Sequence, residues 1–177
     1  GERENGKIDR VIKDLQDDGE FIDYCLVGEA SSSAKLADTI RLGRRGSLSG
    51  ILKINGKQGH VAYPEKVKNP IHIAGTLIDI LKQTEWDKGN EFFQPTSFQI
   101  SNISSGTGAT NVVPGDLEMK FNIRFSSESS EESLKEKILQ ILDRNNIDYD
   151  IEWALNAIPF ITKKTFFKDV IIKSIND

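Results

Sequence analysis

A strict alternation of apolar and polar residues between Leu117 and Phe125 constrains this chain more than any other feature. Five apolar side chains are separated by four polar ones, in the order Leu117, Glu118, Met119, Lys120, Phe121, Asn122, Ile123, Arg124 and Phe125. A period of two places the two sets on opposite faces of a β-strand, so this segment predicts a sheet with one buried and one polar face. Arg124 then lies on the polar face, near the end of its strand.

Patterns on both sides of this strand predict the rest of one compact unit. Asn69-Pro70 is a typical helix start, and Ser129 with Glu132 forms a possible capping box for a second helix. Further strands are predicted at Leu48–Ile54, around Phe98 and Ile100, and at Ile147–Leu155. The resulting order, β-α-β-β-α-β, is that of a ferredoxin-like two-layer sandwich of the α+β type.

The two ends of the chain predict pieces of a second domain of the α/β class. Residues 7–17 carry apolar side chains at helical spacing, and an apolar helical stripe recurs between Phe167 and Ile175. The apolar run Phe21–Val27 is typical of a buried parallel strand, and Thr39–Arg45 predicts a return strand. We therefore expect the sandwich to be an insertion into this second domain.

Composition excludes some classes of function. The 177 residues carry a formal charge of −4 without a dense run of Lys or Arg, which argues against a nucleic-acid partner. No apolar run is long enough to span a bilayer, and no signal peptide opens the chain, so we expect no membrane association. The single cysteine, Cys25, lies in an apolar run and predicts a core residue of a reduced, cytoplasmic protein.

Two short segments are candidates for chemistry. Gly43-Arg44-Arg45-Gly46-Ser47 holds two arginines between glycines, and Gly59-His60 is followed by an aromatic-proline pair. Arginine binds carboxylates through paired hydrogen bonds, and histidine can donate to a developing oxyanion. These segments suggest a site for a carboxylated substrate. On local spacing alone, a surface turn with solvated arginines and an exposed loop histidine is the simpler interpretation.

A zinc centre cannot be assembled from the sequence pattern alone. Zinc sites use three or four ligands from histidine, cysteine and carboxylate side chains. The chain has only His60 and His72, which are not in a metal-binding arrangement, and Glu29 has no obvious partner nearby.

Several segments together resemble the M20 family of dinuclear-zinc aminoacylases and carboxypeptidases. They are 24–29 (YCLVGE), 43–48 (GRRGSL), 59–64 (GHVAYP), 69–70 (NP), 86–93 (WDKGNEFF), 106–115 (GTGATNVVPG) and 121–126 (FNIRFS). Within the family they resemble the members that desuccinylate N-succinyl-LL-diaminopimelate, over nearly the whole chain.

The resemblance implies a homodimeric, two-domain hydrolase of lysine and diaminopimelate biosynthesis, with two zinc ions in each intact active site. Its reaction is the hydrolysis of N-succinyl-LL-2,6-diaminopimelate, a small-molecule substrate, to succinate and LL-diaminopimelate. Residues 46–158 then form the lid and dimerisation domain, and residues 1–45 and 159–177 form parts of the catalytic domain.

The resemblance also implies roles for individual residues. Glu29 matches a zinc-binding carboxylate, and His60 matches a lid histidine that reaches the partner's active site and stabilises the tetrahedral oxyanion. The positions that match the substrate site are Arg44, Ser47, Tyr63, Asn111 and Arg124.

The chain departs from the family pattern at several positions. It has no counterpart for the early His and Asp ligands, the Glu-Glu pair or the late His ligand, so we expect this chain alone to be inactive. Ala30 replaces a proline, and Asn156-Ala157 replaces a Ser-Gly pair. Two alternatives stay open: an isolated dimerisation module without activity, and a related M20 deacylase that acts on a substrate such as acetylornithine.

Overall fold

The computed structural model describes residues 7–28, 31–35, 38–162 and 166–176. Its helices are α1 (Lys7–Asp17), α2 (Pro70–Gln83), α3 (Glu131–Arg144) and α4 (Phe166–Asn176). Its strands are β1 (Gly43–Arg44), β2 (Gly46–Asn55), β3 (Gly59–His60), β4 (Ser97–Ser105), β5 (Val112–Val113), β6 (Asp116–Phe125), β7 (Tyr149–Ala157) and β8 (Phe160–Ile161). The chain divides into two compact units. The central unit is Leu42–Thr162, and the other unit is formed by Gly1–Arg41 together with Lys163–Asp177. None of the helices among the described residues is long and apolar enough to cross a membrane.

The central unit is the predicted ferredoxin-like sandwich. Its four-stranded antiparallel sheet has the order β4-β6-β2-β7, which separates the two strands of each βαβ element by one intervening strand. Helices α2 and α3 bury their apolar faces against one side of the sheet. The largest fully buried side chains are Leu48, Leu52, Ile54, Leu77, Leu81, Leu117, Met119, Ile123, Phe125, Leu134, Ile138 and Leu142. The alternation in β6 therefore set the buried face as predicted, whereas β7 lies two residues further along the chain than expected.

Two glycines of β2 lie beneath aromatic rings of β6. Gly50 pairs with Phe121 and Gly46 pairs with Phe125 across the two strands. A Cβ atom added at Gly50 would lie 2.2 Å from the ring of Phe121, and one at Gly46 would lie 2.2 Å from the ring of Phe125. Both positions therefore require glycine for space, because the rings occupy the volume of a side chain.

Replacing Gly50 by alanine is expected to lower the free energy of unfolding by about 2 kcal/mol through overpacking. Phe121 cannot move aside easily, since its ring is held between Phe98 at 5.0 Å and Trp153 at 5.6 Å. Urea unfolding of the two proteins measures the difference. Gly75→Ala is the matched control, because a Cβ there meets no atom within 4 Å and alanine favours a helix interior by about 0.5–1 kcal/mol. A Gly50→Ala variant as stable as the parent would contradict the packing argument.

The predicted start of α2 is confirmed, and the predicted capping box of α3 is shifted by one residue. Asn69 caps α2, and its side chain accepts a hydrogen bond from the Ile71 amide. The capping box of α3 is formed by Ser130 and Ser133, not by Ser129 and Glu132 as predicted. Adjacent serines give nearly the same sequence signal, and Ser129 instead donates its hydroxyl to another group.

That group is Asp87, which organises the loop between α2 and β4. Its carboxylate accepts hydrogen bonds from the backbone of Gly89 and Thr96, each at 2.9 Å, and from the hydroxyl of Thr96. The hydroxyls of Ser126 and Ser129 donate to it at 2.9 Å and 2.6 Å. Burial raises the pKa of Asp87, but the donors from Ser129, Thr96 and Gly89 together outweigh it and hold the pKa well below its usual range.

Replacing Asp87 by asparagine is expected to cost about 2 kcal/mol of stability at pH 7, because the loop loses hydrogen bonds to a charged acceptor. Because the pKa of Asp87 is lower in the folded than in the unfolded state, its ionised carboxylate stabilises the fold at pH values above the unfolded-state pKa. This stabilisation is lost as the pH falls towards the folded-state pKa. The difference between parent and variant should therefore shrink below about pH 4. Chemical unfolding at several pH values tests this, with Asp79→Asn on the exposed side of α2 as the charge-matched control. A difference that stays constant down to pH 3 would contradict the assignment.

Three expectations for the N-terminal 45 residues are wrong or only partly correct. Phe21–Val27 is not a buried strand: it has no regular secondary structure, and Phe21 is 92% exposed. Cys25 is exposed rather than a core residue. Of the return strand expected at Thr39–Arg45, only Gly43–Arg44 forms, paired with β8. The unit formed by Gly1–Arg41 and Lys163–Asp177 contains no strand among its described residues. The backbone of Phe21–Val27 therefore has no neighbouring strand to supply the hydrogen bonds that a buried strand requires.

Candidate functional site

One group of predicted site residues lies where β2 begins and β6 ends. Ser47 pairs with Arg124 across these strands, so both side chains lie on the polar face of the sheet, opposite the helices. Arg44 lies in β1, and its guanidinium is 5.9 Å from the centre of the Phe160 ring. Neither Arg44 nor Arg124 forms an ion pair with a carboxylate among the described residues. We call Arg44, Ser47 and Arg124 the arginine group.

A second group lies on a short ribbon beyond the opposite end of the same strands. β3 and β5 pair so that His60 lies opposite Val112. The Val61 amide donates to the carbonyl oxygen of Asn111 at 3.1 Å, which places Asn111 beside the histidine segment. The rings of His60 and Tyr63 meet edge to face with their centres 6.0 Å apart. We call His60, Tyr63 and Asn111 the histidine group.

The backbone fixes the hydrogen-bonding state of His60. Its Nδ1 accepts a hydrogen bond from the Ala62 amide at 3.0 Å. In the neutral imidazole the proton then resides on Nε2, which makes that atom a hydrogen-bond donor. The side chain is exposed, so this donor is available to a group outside the ribbon.

The structure does not bring the two groups together within one chain. Ser47 and Asn55 stand near the two ends of β2, and eight residue steps along a strand span roughly 27 Å. The ribbon that carries the histidine group follows in the chain after the end of β2 at Asn55, beyond a bridge between Lys57 and Lys68. No hydrogen bond or ring contact between described residues joins the arginine group to the histidine group. The strand predicted at Leu48–Ile54 lies between Ser47 and His60 in the chain, and this separation agrees with it.

The described residues do not fit the zinc pair that the resemblance implies. Among them there is no group of three or more His, Cys, Asp or Glu side chains that could hold a metal ion. Glu29, the predicted zinc ligand, and the neighbouring Ala30 lie outside the described residues. His72 is exposed on α2.

Sequence reasoning missed a hydrogen-bonded cluster on the polar face of the sheet. Asn122 donates to the hydroxyl oxygens of Ser47 at 3.0 Å and Ser49 at 2.9 Å. Asn156 also donates to Ser49, at 2.7 Å. The alternation placed Asn122 and Ser49 on this face, but only the register between the strands shows that they meet.

Comparison with known families identifies the fold. Residues 42–150 match the peptidase dimerisation domain, M20_dimer. The chain belongs to this M20 dimerisation-domain family. The M20 resemblance predicted from the motifs is therefore confirmed, and the matched segment includes all six residues of the arginine and histidine groups.

Curated relatives sharpen the M20 resemblance. The chain is 54% identical over 160 residues to the succinyl-diaminopimelate desuccinylase of Methylobacillus flagellatus, covering 90% of this chain and 42% of the relative. It is 52% identical over 167 residues to the enzyme of that name from Nitrosospira multiformis, covering 94% of this chain and 44% of the relative. The chain thus spans less than half the length of these relatives.

Solved structures share the M20 fold. A tripeptidase from Staphylococcus aureus matches with a TM-score of 0.61 and 19% identity, over 76% of this chain and 36% of that chain. An M20 family metallo-carboxypeptidase from Sulfolobus solfataricus matches with a TM-score of 0.58 and 14% identity, over 67% of this chain and 45% of that chain. At these identities the likeness establishes the fold alone.

Proposed function

We propose that this chain is the lid and dimerisation part of a zinc-dependent succinyl-diaminopimelate desuccinylase. The whole enzyme hydrolyses N-succinyl-LL-diaminopimelate to succinate and LL-diaminopimelate. The observation that carries the proposal is the separation of the arginine and histidine groups to opposite ends of β2. One chain cannot supply both groups to one small substrate, whereas two copies related by a two-fold axis can.

In this proposal each active site uses two chains. The arginine group of one subunit binds a carboxylate of the substrate, since guanidinium groups without internal ion-pair partners are free to form paired hydrogen bonds with it. The histidine group of the other subunit reaches the same substrate. Residues 1–45 and 159–177 belong to the catalytic domain, and Glu29 is one of its zinc ligands.

His60 has a defined task in amide hydrolysis. Attack of water on the amide carbonyl produces a tetrahedral intermediate whose oxygen carries negative charge. The Nε2–H of His60 donates a hydrogen bond to that oxygen, and the Ala62 amide holds the ring in the tautomer that does so. Tyr63 and Asn111 flank this donor and complete the substrate contacts.

The proposed substrate has a tail carboxylate that an acetylated substrate lacks. Arg44 and Arg124 together suit a succinyl group, which ends in a carboxylate, better than an acetyl group, which is uncharged. This favours the desuccinylase over a related deacylase such as one for acetylornithine.

A chimeric enzyme tests the proposal. Residues 1–177 replace the corresponding segment of the Methylobacillus flagellatus relative, which supplies the rest of a full-length chain. The zinc-loaded chimera is expected to hydrolyse N-succinyl-LL-diaminopimelate and to prefer it to acetylornithine. The unaltered relative is the positive control. A folded chimera that binds zinc but releases no succinate would refute the proposal and favour a dimerisation module without activity.

A further inference from the structure

In the cluster on the polar face of the sheet, the serine oxygens accept hydrogen bonds from asparagine amides. Asn122 donates from its amide nitrogen to Ser47 and Ser49, and Asn156 donates to Ser49. Both serine oxygens therefore act as acceptors. Ser47 is only 4% exposed, so its geometry is set by protein rather than by solvent.

A hydroxyl group has one hydrogen, and an oxygen that accepts from an amide directs that hydrogen elsewhere. Among the described residues no acceptor receives the hydroxyl hydrogen of Ser47 or Ser49. Arg124 lies opposite Ser47 in the register, and directly opposite Cβ atoms are about 5 Å apart. Two hydroxyl donors and a guanidinium thus share one patch, and among the described residues no carboxylate is hydrogen-bonded or ion-paired to any of the three.

We propose that Asn122 is a positioning residue that fixes Ser47 and Ser49 as hydrogen-bond donors, so that with Arg124 they select a carboxylate tail. The inference rests on the proposed function and adds to it the residue that sets the direction of the hydrogen bonds. An aspartate at position 122 reverses this direction, because a carboxylate only accepts. Both hydroxyls then donate to the aspartate, and its charge opposes that of the ligand.

The test compares Asn122→Asp in the chimera with two substrates, the succinyl compound and its analogue with a terminal amide in place of the tail carboxylate. The KM for the succinyl substrate is expected to rise at least about tenfold with kcat nearly unchanged, because the tail is bound equally in ground and transition states. The KM for the amide analogue is expected to change little. Thermal unfolding verifies that the variant is folded.

Gln99→Asp is the matched control for charge. Gln99 pairs with Asn122 on the neighbouring edge strand and faces the same side, but it donates to neither serine. It is expected to raise the KM for the succinyl substrate far less than Asn122→Asp does. If the two variants raise this KM equally, the effect of Asn122→Asp is due to its added negative charge alone, and the inference is overturned.

Ser49→Ala gives an independent readout if Asn122→Asp fails to fold. It removes one donor and is expected to raise the KM for the succinyl substrate about threefold to tenfold without affecting the amide analogue. An unchanged ratio of KM values for the two substrates overturns the inference. If the chimera without these substitutions fails to hydrolyse the substrate, the proposed function is refuted. If that chimera is active but the variants do not change the KM for the succinyl substrate, only the inference about Asn122 is refuted.

Discussion

Replacing His60 by alanine in the chimera is expected to lower turnover by roughly 10²–10³-fold, the usual loss of one oxyanion donor. The side chain is exposed on the ribbon, and its Nδ1 is already occupied by the Ala62 amide, so Nε2 is the atom lost to the reaction. Because a lid residue helps mainly after the domains close over substrate, KM should change less than kcat. Steady-state kinetics measures both parameters.

His72→Ala is the matched control, since His72 is the other histidine of the chain and lies exposed on α2. It is expected to leave turnover unchanged. Zinc content, measured by elemental analysis, should equal that of the parent in both variants. Loss of zinc from His60→Ala would show that His60 is a metal ligand rather than an oxyanion donor, and normal turnover would remove it from the mechanism.

Mixing two inactive variants is expected to restore activity. Arg124→Ala should reduce kcat/KM by about 100-fold, because the substrate carboxylate loses a charge-assisted contact. In a heterodimer of His60→Ala with Arg124→Ala, one site combines the intact arginine group of one chain with the intact histidine group of the other. A random equimolar mixture should recover about a quarter of the parent activity, since half of the dimers carry one intact site of two.

The same mixing experiment includes its own control. Arg124→Ala mixed with Arg44→Ala places both changes in the arginine group, so a heterodimer has no intact site and should recover nothing. Recovery in this second mixture, or its absence in the first, would contradict a site shared between subunits. Sedimentation of each mixture verifies that dimers form.

Much of the fold was predictable because it depends on local patterns. The alternation in β6 determined which face is buried, and Asn69-Pro70 marked the start of α2. The wrong prediction for Phe21–Val27 has a physical cause: an apolar run indicates that a segment favours burial, but it contains no information about what covers it. Cys25, inside that run, was misplaced for the same reason.

The sequence predicted the residues of the candidate site, and their roles stay predictions. The residue types at Arg44 and His60 indicated carboxylate and oxyanion chemistry without any coordinates. Strand β2 separates these two residues, as the strand predicted between them implies. The position of Asn111 beside His60 depends on the pairing of β3 with β5, which joins segments about fifty residues apart in sequence. Asn122 had the pattern of a solvated residue on a strand, and only the register with β2 reveals its two serine partners.

The distance between the ends of β2 has a consequence for how such an enzyme responds to its own concentration. When every active site draws on two chains, the number of sites follows the number of dimers rather than the number of chains. Well below the dissociation constant of the dimer, the catalytic rate therefore grows with the square of the protein concentration. If the proposed function holds, a cell that makes half as much of the enzyme in that range retains only about a quarter of the activity.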